Sequence, residues 1–242
     1  MPDGTLTYAA VLTHSAGKLS RASVPEPETD ARALLFHFFE MDLTGYLLRR
    51  DQQVLDSGDD MQEKRMAGFR QASDLRCRRV TLQHILGEAW FYGYAFEVSP
   101  NVLIPRAETE ILVSEALKDV GTSPCCVLDL CTGSGCIAIT LKREAPQIRC
   151  LAGDISEAAL AIARGNASMH GVQVEFVRSD LFEAFDGNEH FDLIVSNPPY
   201  IATGEIPFLQ PEGGRMIRCW LWTEEKTDWI FTGGSAGRGT LS

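Results

Sequence analysis

The period of the hydrophobic positions changes along the chain. From Glu28 to Met41 (ETDARALLFHFFEM), Ala31, Leu34, Leu35, Phe38 and Phe39 recur at helical spacing and predict an amphipathic helix with one packed face. His37 falls beside that face and reads as structural. A second, mostly polar helix is predicted over residues 59–72, so residues 1–85 read as a small helical domain. Between Trp90 and Pro105 the pattern becomes WFYGYAFEVSPNVLIP, with aromatics, β-branched residues and glycine, which predicts a β-hairpin within a linker at 86–106. Helical spacing then returns in ETEILVSEALKDV.

From Cys125 the order is strand CCVLDL, loop CTGSG, helix CIAITLKREA, strand IRCLAGD, helix SEAALAIARGNASMHG, strand VQVEFVRSD and strand FDLIVSN. Alternating strands and helices predict an α/β domain with a mostly parallel, doubly wound sheet. Ligands of such sheets bind beyond the carboxyl ends of the strands. Asp129, the glycine loop, Asp154, Asp180 and Asn197 all stand there.

Composition narrows the function classes. A formal net charge of -11 argues against direct binding of nucleic acid, whose partners carry a basic face. Arg76, Arg78 and Arg79 form the one tight basic cluster, and a solvated helix end accounts for them as well as a local patch does. Seven cysteines, with no signal peptide and no apolar run long enough to cross a bilayer, suit the reducing cytoplasm. Cys125, Cys126, Cys131 and Cys136 are crowded, but adjacent strand residues face opposite ways, so no metal site is expected.

The loop DLCTGSG, Asp129 to Gly135, puts glycines where the chain turns sharply from strand to helix. It lacks the Gly-Lys-Ser/Thr ending of a phosphate loop. It also departs from the dinucleotide fingerprint, because Gly133 and Gly135 are followed by Ala138. Asp154 ends the second strand where a carboxylate accepts from ribose hydroxyls, although a turn at the helix start also uses such a residue. Asp180 can bond an adenine amino group, with Leu181 and Phe182 beside the ring. In VSNPPYI, Val195 to Ile201, each proline fixes its torsion and removes a donor. The Asn197 side chain and the Pro198 carbonyl are thereby presented as acceptors for a planar NH2, either a glutamine amide or a base amine, with Tyr200 against its face.

VLIPRAETEILV, VLDLCTGSGCIAI, FDLIVSNPPYI and the helical N-terminal part together resemble the glutamine-N5 methyltransferases that modify peptide chain release factors. The resemblance implies a Rossmann-like class I S-adenosylmethionine-dependent methyltransferase domain at 107–212, behind a helical substrate-recognition domain. It implies Asp129, Cys131, Thr132, Gly133, Ser134 and Gly135 on the cofactor side, the loop lining the methionine end. Asp154 would take the ribose, Asp180 and Leu181 the adenine, and Asn197, Pro198, Pro199 and Tyr200 the target glutamine, with Asn197 also facing cofactor. The implied partner is a release factor, with no membrane; oligomeric state is unspecified. Two positions depart from the family: Ala107 stands for the proline of PRPETE, and Cys131 for the first loop glycine. An adenine-N6 DNA methyltransferase, a ribosomal-protein glutamine methyltransferase and a catalytically dead interaction remnant are the competing readings.

After IPFLQPE the resemblance stops. Residues 213–242 hold three of the four tryptophans and follow neither strand nor helix period, so the C-terminal strands of the sheet are expected to be missing and the Asn197 strand to be an open edge. Read one base earlier, the codons permitted for Trp222 to Gly234 allow Leu-Asp-Gly-Gly-Glu-Asp-Gly-Leu-Asp-Phe-Tyr-Arg-Arg, which resembles the family's continuation. A frameshift near Glu212 is therefore expected.

Overall fold

Polar caps and apolar faces set the first helices. In this computed structural model, residues 6–54, 59–185 and 189–201 are described, together with the backbone of 218–223, 228–232 and 237–240; the side chains beyond Pro198 lie outside the described residues. Two units separate, Met1–Gly87 and Glu88–Ser242.

The first unit holds α1 (Tyr8–Arg21), α2 (Pro27–Phe38), α3 (Leu43–Arg49), α4 (Asp60–Cys77) and α5 (Leu82–Leu86). Thr7, Asp42 and Asp59 accept backbone N–H bonds at the starts of α1, α3 and α4, satisfying donors that a helix leaves orphaned. Tyr8, Val11, Leu34, Leu35, Phe39, Met66 and Phe69 form its core. Two residues of the basic cluster are bonded within this unit, while Arg78 and Arg79 are exposed. Arg76 Nε donates to Asp30 Oδ2 at 2.7 Å in a largely buried pair, and Arg79 donates to the Ser23 carbonyl.

The second unit opens with the hairpin β1 (Glu88–Phe91) and β2 (Tyr94–Glu97), turned by Tyr92 and Gly93 with φ of 52° and 78°. Two positive φ values suit the right-handed twist of a two-residue hairpin. Phe91 and Phe96 are buried in this unit's core, His170 lies 2.8 Å from the Ala95 carbonyl, and the Arg143 guanidinium stands 4.1 Å from the centroid of the Tyr94 ring. The hairpin is thus packed as part of the second unit.

There follow α6 (Ala107–Val120), β3 (Cys126–Leu130), α7 (Cys136–Glu144), β4 (Arg149–Asp154), α8 (Glu157–His170), β5 (Glu175–Arg178) and β6 (Leu193–Ile201). Ala107 occupies the first position of α6, where proline is favoured but not required. Strands β3 to β6 are parallel in the order β5-β4-β3-β6, with Asp129 level with Ala152 on one side and Val195 on the other. Helices α6 and α7 bury Leu112, Val113, Ile137, Ile139 and Leu141 in the larger core.

The sheet does not end at β6. The backbone of β7 (Arg218–Thr223) pairs parallel with β6, and β8 (Asp228–Thr232) and β9 (Gly237–Thr240) add antiparallel strands. The expectation of an open edge at β6 is corrected, since β7 pairs with it. CWLW and WIF are unbroken apolar runs, the pattern of strands within a covered sheet, which a test for alternation passes over.

Candidate active site

The chain order reverses at one place in the parallel sheet. From β3 the chain steps outward to β4 and then β5, whereas β6 lies on the other side of β3. Such a reversal opens a crevice at the carboxyl edge. Asp129, Asp154, Asp180 and Asn197 belong to four neighbouring strand ends on that edge. From β5 to β6 is three strand spacings, about 14 Å, enough for a nucleoside and an extended group beside it.

Asp129 is fully buried at the end of β3. Its Oδ2 accepts from the Thr132 hydroxyl at 2.6 Å and from the Ala138 N–H at 3.2 Å, while Oδ1 has no partner among the described residues. Burial pushes the carboxyl up to about 7, with the charge of Asp154 adding to it and the two donors opposing it. Thr132 thereby ties the loop back to the strand that launches it.

The loop is built from left-handed residues. Cys131, Gly133 and Gly135 have φ of 58°, 55° and 80°. A Cβ on Gly135 would lie 2.9 Å from Ile139 Cδ1 and 3.0 Å from Ala163 Cβ, so this glycine lets α7 and α8 meet. A Cβ on Gly133 would meet nothing within 4 Å, so its requirement is conformational and the space beside it is open. At Cys131 a side chain does occupy the left-handed region. Burial pushes its thiol up to about 11, which keeps it neutral near pH 7.

Asp154 holds two neighbours at once. Its Oδ2 accepts from Gly133 N at 2.9 Å and its Oδ1 from Ser156 N at 2.9 Å. Ser156 itself caps α8 through Ala159 N, so the capping role falls there. Each carboxylate oxygen of Asp154 retains a lone pair for a further donor.

Beyond β4 and β5 lies an open cleft of about 420 Å³ lined by Ile155, Arg178, Ser179, Asp180, Glu183 and Ala184. Asp180 is exposed in it. The apolar surface is Ile155, 59% exposed, which the sequence reading overlooked; a large aliphatic side chain directly after a strand-end aspartate was the available signal. Leu181 and Phe182 are not among the lining residues. They pack against Leu128, Leu130, Leu151 and Ile194, with Leu181 in a left-handed turn at φ 48°.

On the other side of β3, Ser196 donates to the Leu130 carbonyl at 2.9 Å, fixing the end of β6 against that of β3. The ladder between β6 and β7 is irregular from Ser196 to Ile201, so Asn197, Pro198, Pro199 and Tyr200 form a corner rather than a paired run. Pro198 is buried and Asn197 half-buried. Asn197 Nδ2 donates to Thr109 Oγ1 at 3.1 Å, and among the described residues none donates to its Oδ1. The side chains of Pro199 and Tyr200 fall outside the described residues.

Two further residues were not legible as site residues. Thr109, buried in the first turn of α6, reaches Asn197 across 88 positions. Asn166, fully buried in α8, accepts from Glu97 N at 2.7 Å and donates to Glu97 O at 3.0 Å and Ser134 O at 2.9 Å, linking hairpin and glycine loop.

Fold and site together define a class I methyltransferase domain preceded in sequence by a helical unit. Residues 107–208 match the Methyltransferase small domain and residues 10–87 the PrmC N-terminal domain. The release factor glutamine methyltransferase of Deinococcus radiodurans is 38% identical over 203 residues, covering 84% of this chain and 70% of that protein. That of Geobacter sulfurreducens is 37% identical over 206 residues, covering 85% and 69%. Among solved structures, the 16S rRNA N2 G1207 methyltransferase of T. Thermophilus is 22% identical, covers 55% of this chain and 40% of that one, and has a TM-score of 0.45. The chain belongs to the release factor glutamine methyltransferase family.

Proposed function

We propose that this chain transfers a methyl group from S-adenosylmethionine to the side-chain amide nitrogen, N5, of a glutamine in a peptide chain release factor. The observation that carries the reading is Asn197, one residue past the last position of β6 that pairs with β3, at the strand-order reversal, with an amide oxygen that no described residue donates to. Family membership and the names of the relatives support the substrate.

The residues present fit the cofactor. Asp154 ends β4 and Asp180 follows the adjacent β5 by two residues, as acceptors for ribose hydroxyls and an adenine amine, and Ile155 offers the ring an apolar face. The unpartnered Asp129 Oδ1 and the open space at Gly133 suit a cation approaching the loop from Cys131 to Gly135. When bound, S-adenosylmethionine supplies an activated methyl on a sulfonium centre.

The chain's own residues then supply orientation and charge. An amide nitrogen is a poor nucleophile, because its lone pair is delocalised into the carbonyl. Asn197 Oδ1 and the Pro198 carbonyl take the two N–H bonds of the glutamine NH2, hold its plane fixed and favour the positive charge that grows on nitrogen. Transfer would form the nitrogen–methyl bond as the methyl–sulfur bond breaks, and the methylated nitrogen would then give one proton to water, so no base need act before transfer. By their positions in the family motifs, Leu181 would serve the adenine side, and Pro199 and Tyr200 the glutamine. Residues 1–85 serve as the substrate-recognition domain, 86–106 as the joining hairpin segment and 107–212 as the catalytic part. The setting is the cytoplasm; among the described residues no helix is long and apolar enough to cross a membrane.

The test is transfer of labelled methyl to purified release factor and, in parallel, to duplex DNA. Label on the release factor alone is expected. Label on DNA alone would replace this reading by adenine methylation.

A further inference from the structure

Asn197 can serve as an acceptor only if its amide faces the right way. The two ends of an asparagine amide are nearly the same shape, and rotation by half a turn would point two donors at the glutamine NH2, itself a donor. The glutamine NH2 selects Oδ1, and a second contact must hold the amide in place while it does. Nδ2 is 3.1 Å from Thr109 Oγ1, and Thr109 is 4% exposed, so water competes poorly for that contact.

Thr109 is fixed in turn. It lies in the first turn of α6, its N–H bonded to the Arg106 carbonyl at 3.0 Å, and α6 packs against β6. Threonine is restricted at χ1, and burial together with the contact to Asn197 holds its hydroxyl in place.

We propose that Thr109 is a positioning residue for the methyl-transfer site: by accepting from Asn197 Nδ2 it anchors the amide group in one place, so that the donor-only glutamine NH2 meets Oδ1 in a fixed geometry. This rests on the glutamine-methylation reading and adds to it a residue that touches neither substrate nor cofactor. It acts on the orientation of Asn197 alone, so it sets turnover of the glutamine and leaves cofactor affinity unchanged.

The experiment compares the full chain with Thr109→Val, which keeps the shape and removes the acceptor, and Thr109→Ser, which keeps the acceptor. Three quantities are read: hydrogen exchange of the Asn197 side-chain NH2 by NMR, affinity for S-adenosylhomocysteine by calorimetry, and kcat on release factor. Thr109→Val is expected to speed exchange of the Asn197 NH2, leave S-adenosylhomocysteine affinity within about twofold and lower kcat by about tenfold, the effect of one buried hydrogen bond. Thr109→Ser should recover most of the kcat. Unchanged exchange in Thr109→Val would overturn the contact, and unchanged kcat would overturn its role. Equal loss in both variants together with lost S-adenosylhomocysteine affinity would make Thr109 merely structural. A wild-type chain that protects the Asn197 NH2 and binds S-adenosylhomocysteine yet leaves the glutamine unmodified would instead overturn the functional reading on which the role depends.

Discussion

Asn166 joins two segments that the chain keeps far apart, the end of the hairpin and the glycine loop. Its amide makes three bonds, to Glu97 N, Glu97 O and Ser134 O, at 2.7, 3.0 and 2.9 Å. Replacement by alanine removes all three. At about 1 kcal/mol net per bond the loss is about 3 kcal/mol, with the buried Ser134 carbonyl at the costly end because little water reaches it. For a unit of this size that corresponds to a fall of about 6–12 °C in the Tm of its transition. Asn166→Asp is the sharper variant. It conserves volume and still accepts from Glu97 N, but it turns an oxygen toward two carbonyl oxygens, so it should cost at least as much as alanine at pH 7. Urea melts followed by tryptophan fluorescence give the free energy, and hydrogen exchange at Glu97 N–H reports the local bond. A loss below about 1 kcal/mol in both variants would mean that packing, not this amide, holds hairpin and loop together.

Asp129 should give a pH signature. Its folded pKa, about 7, lies above the unfolded value, so its stabilising contribution is complete below about pH 4 and is lost as pH rises through 7. Asp129→Asn should flatten that slope in melts between pH 5 and 8 while weakening binding of the sulfonium cofactor; an unchanged slope would count against the burial argument. Cys131→Gly should stabilise by about 0.5–1 kcal/mol, since relief of left-handed strain exceeds the added chain entropy. Destabilisation in a thermal melt would show that the thiol's packing matters more. Sequencing the nucleotides for residues 205–242 from independent clones should reveal a missing or extra base near codon 212; an intact frame would dispose of the frameshift expectation.

The strand-helix alternation after Cys125 was legible because each element carries its own period and an aspartate or Asn197 stands at or near the carboxyl end of each strand's pairing. The helix of Ala31, Leu34 and Leu35 was legible for the same reason. Helix α1 was not, because its buried face runs through the polar Ser15, whose hydroxyl is satisfied 3.2 Å away by Ser73 on α4. Phe39, expected within the helical run, is buried but caps α2 from outside it. Strand β5 is shorter than VQVEFVRSD suggests, since only Glu175–Arg178 pairs with β4. Contacts such as Thr109 with Asn197, or Asn166 with Ser134, join distant segments, and no local pattern announces them.

The central claim is tested most directly by locating the methyl group. Release factor incubated with the chain and S-adenosylmethionine, then digested and fragmented in a mass spectrometer, should carry one added methyl on a glutamine side-chain amide. Asn197→Ala, with its fold confirmed by melting, should leave that glutamine unmodified. A methyl group on any other residue type, or equal modification by Asn197→Ala, would contradict the account.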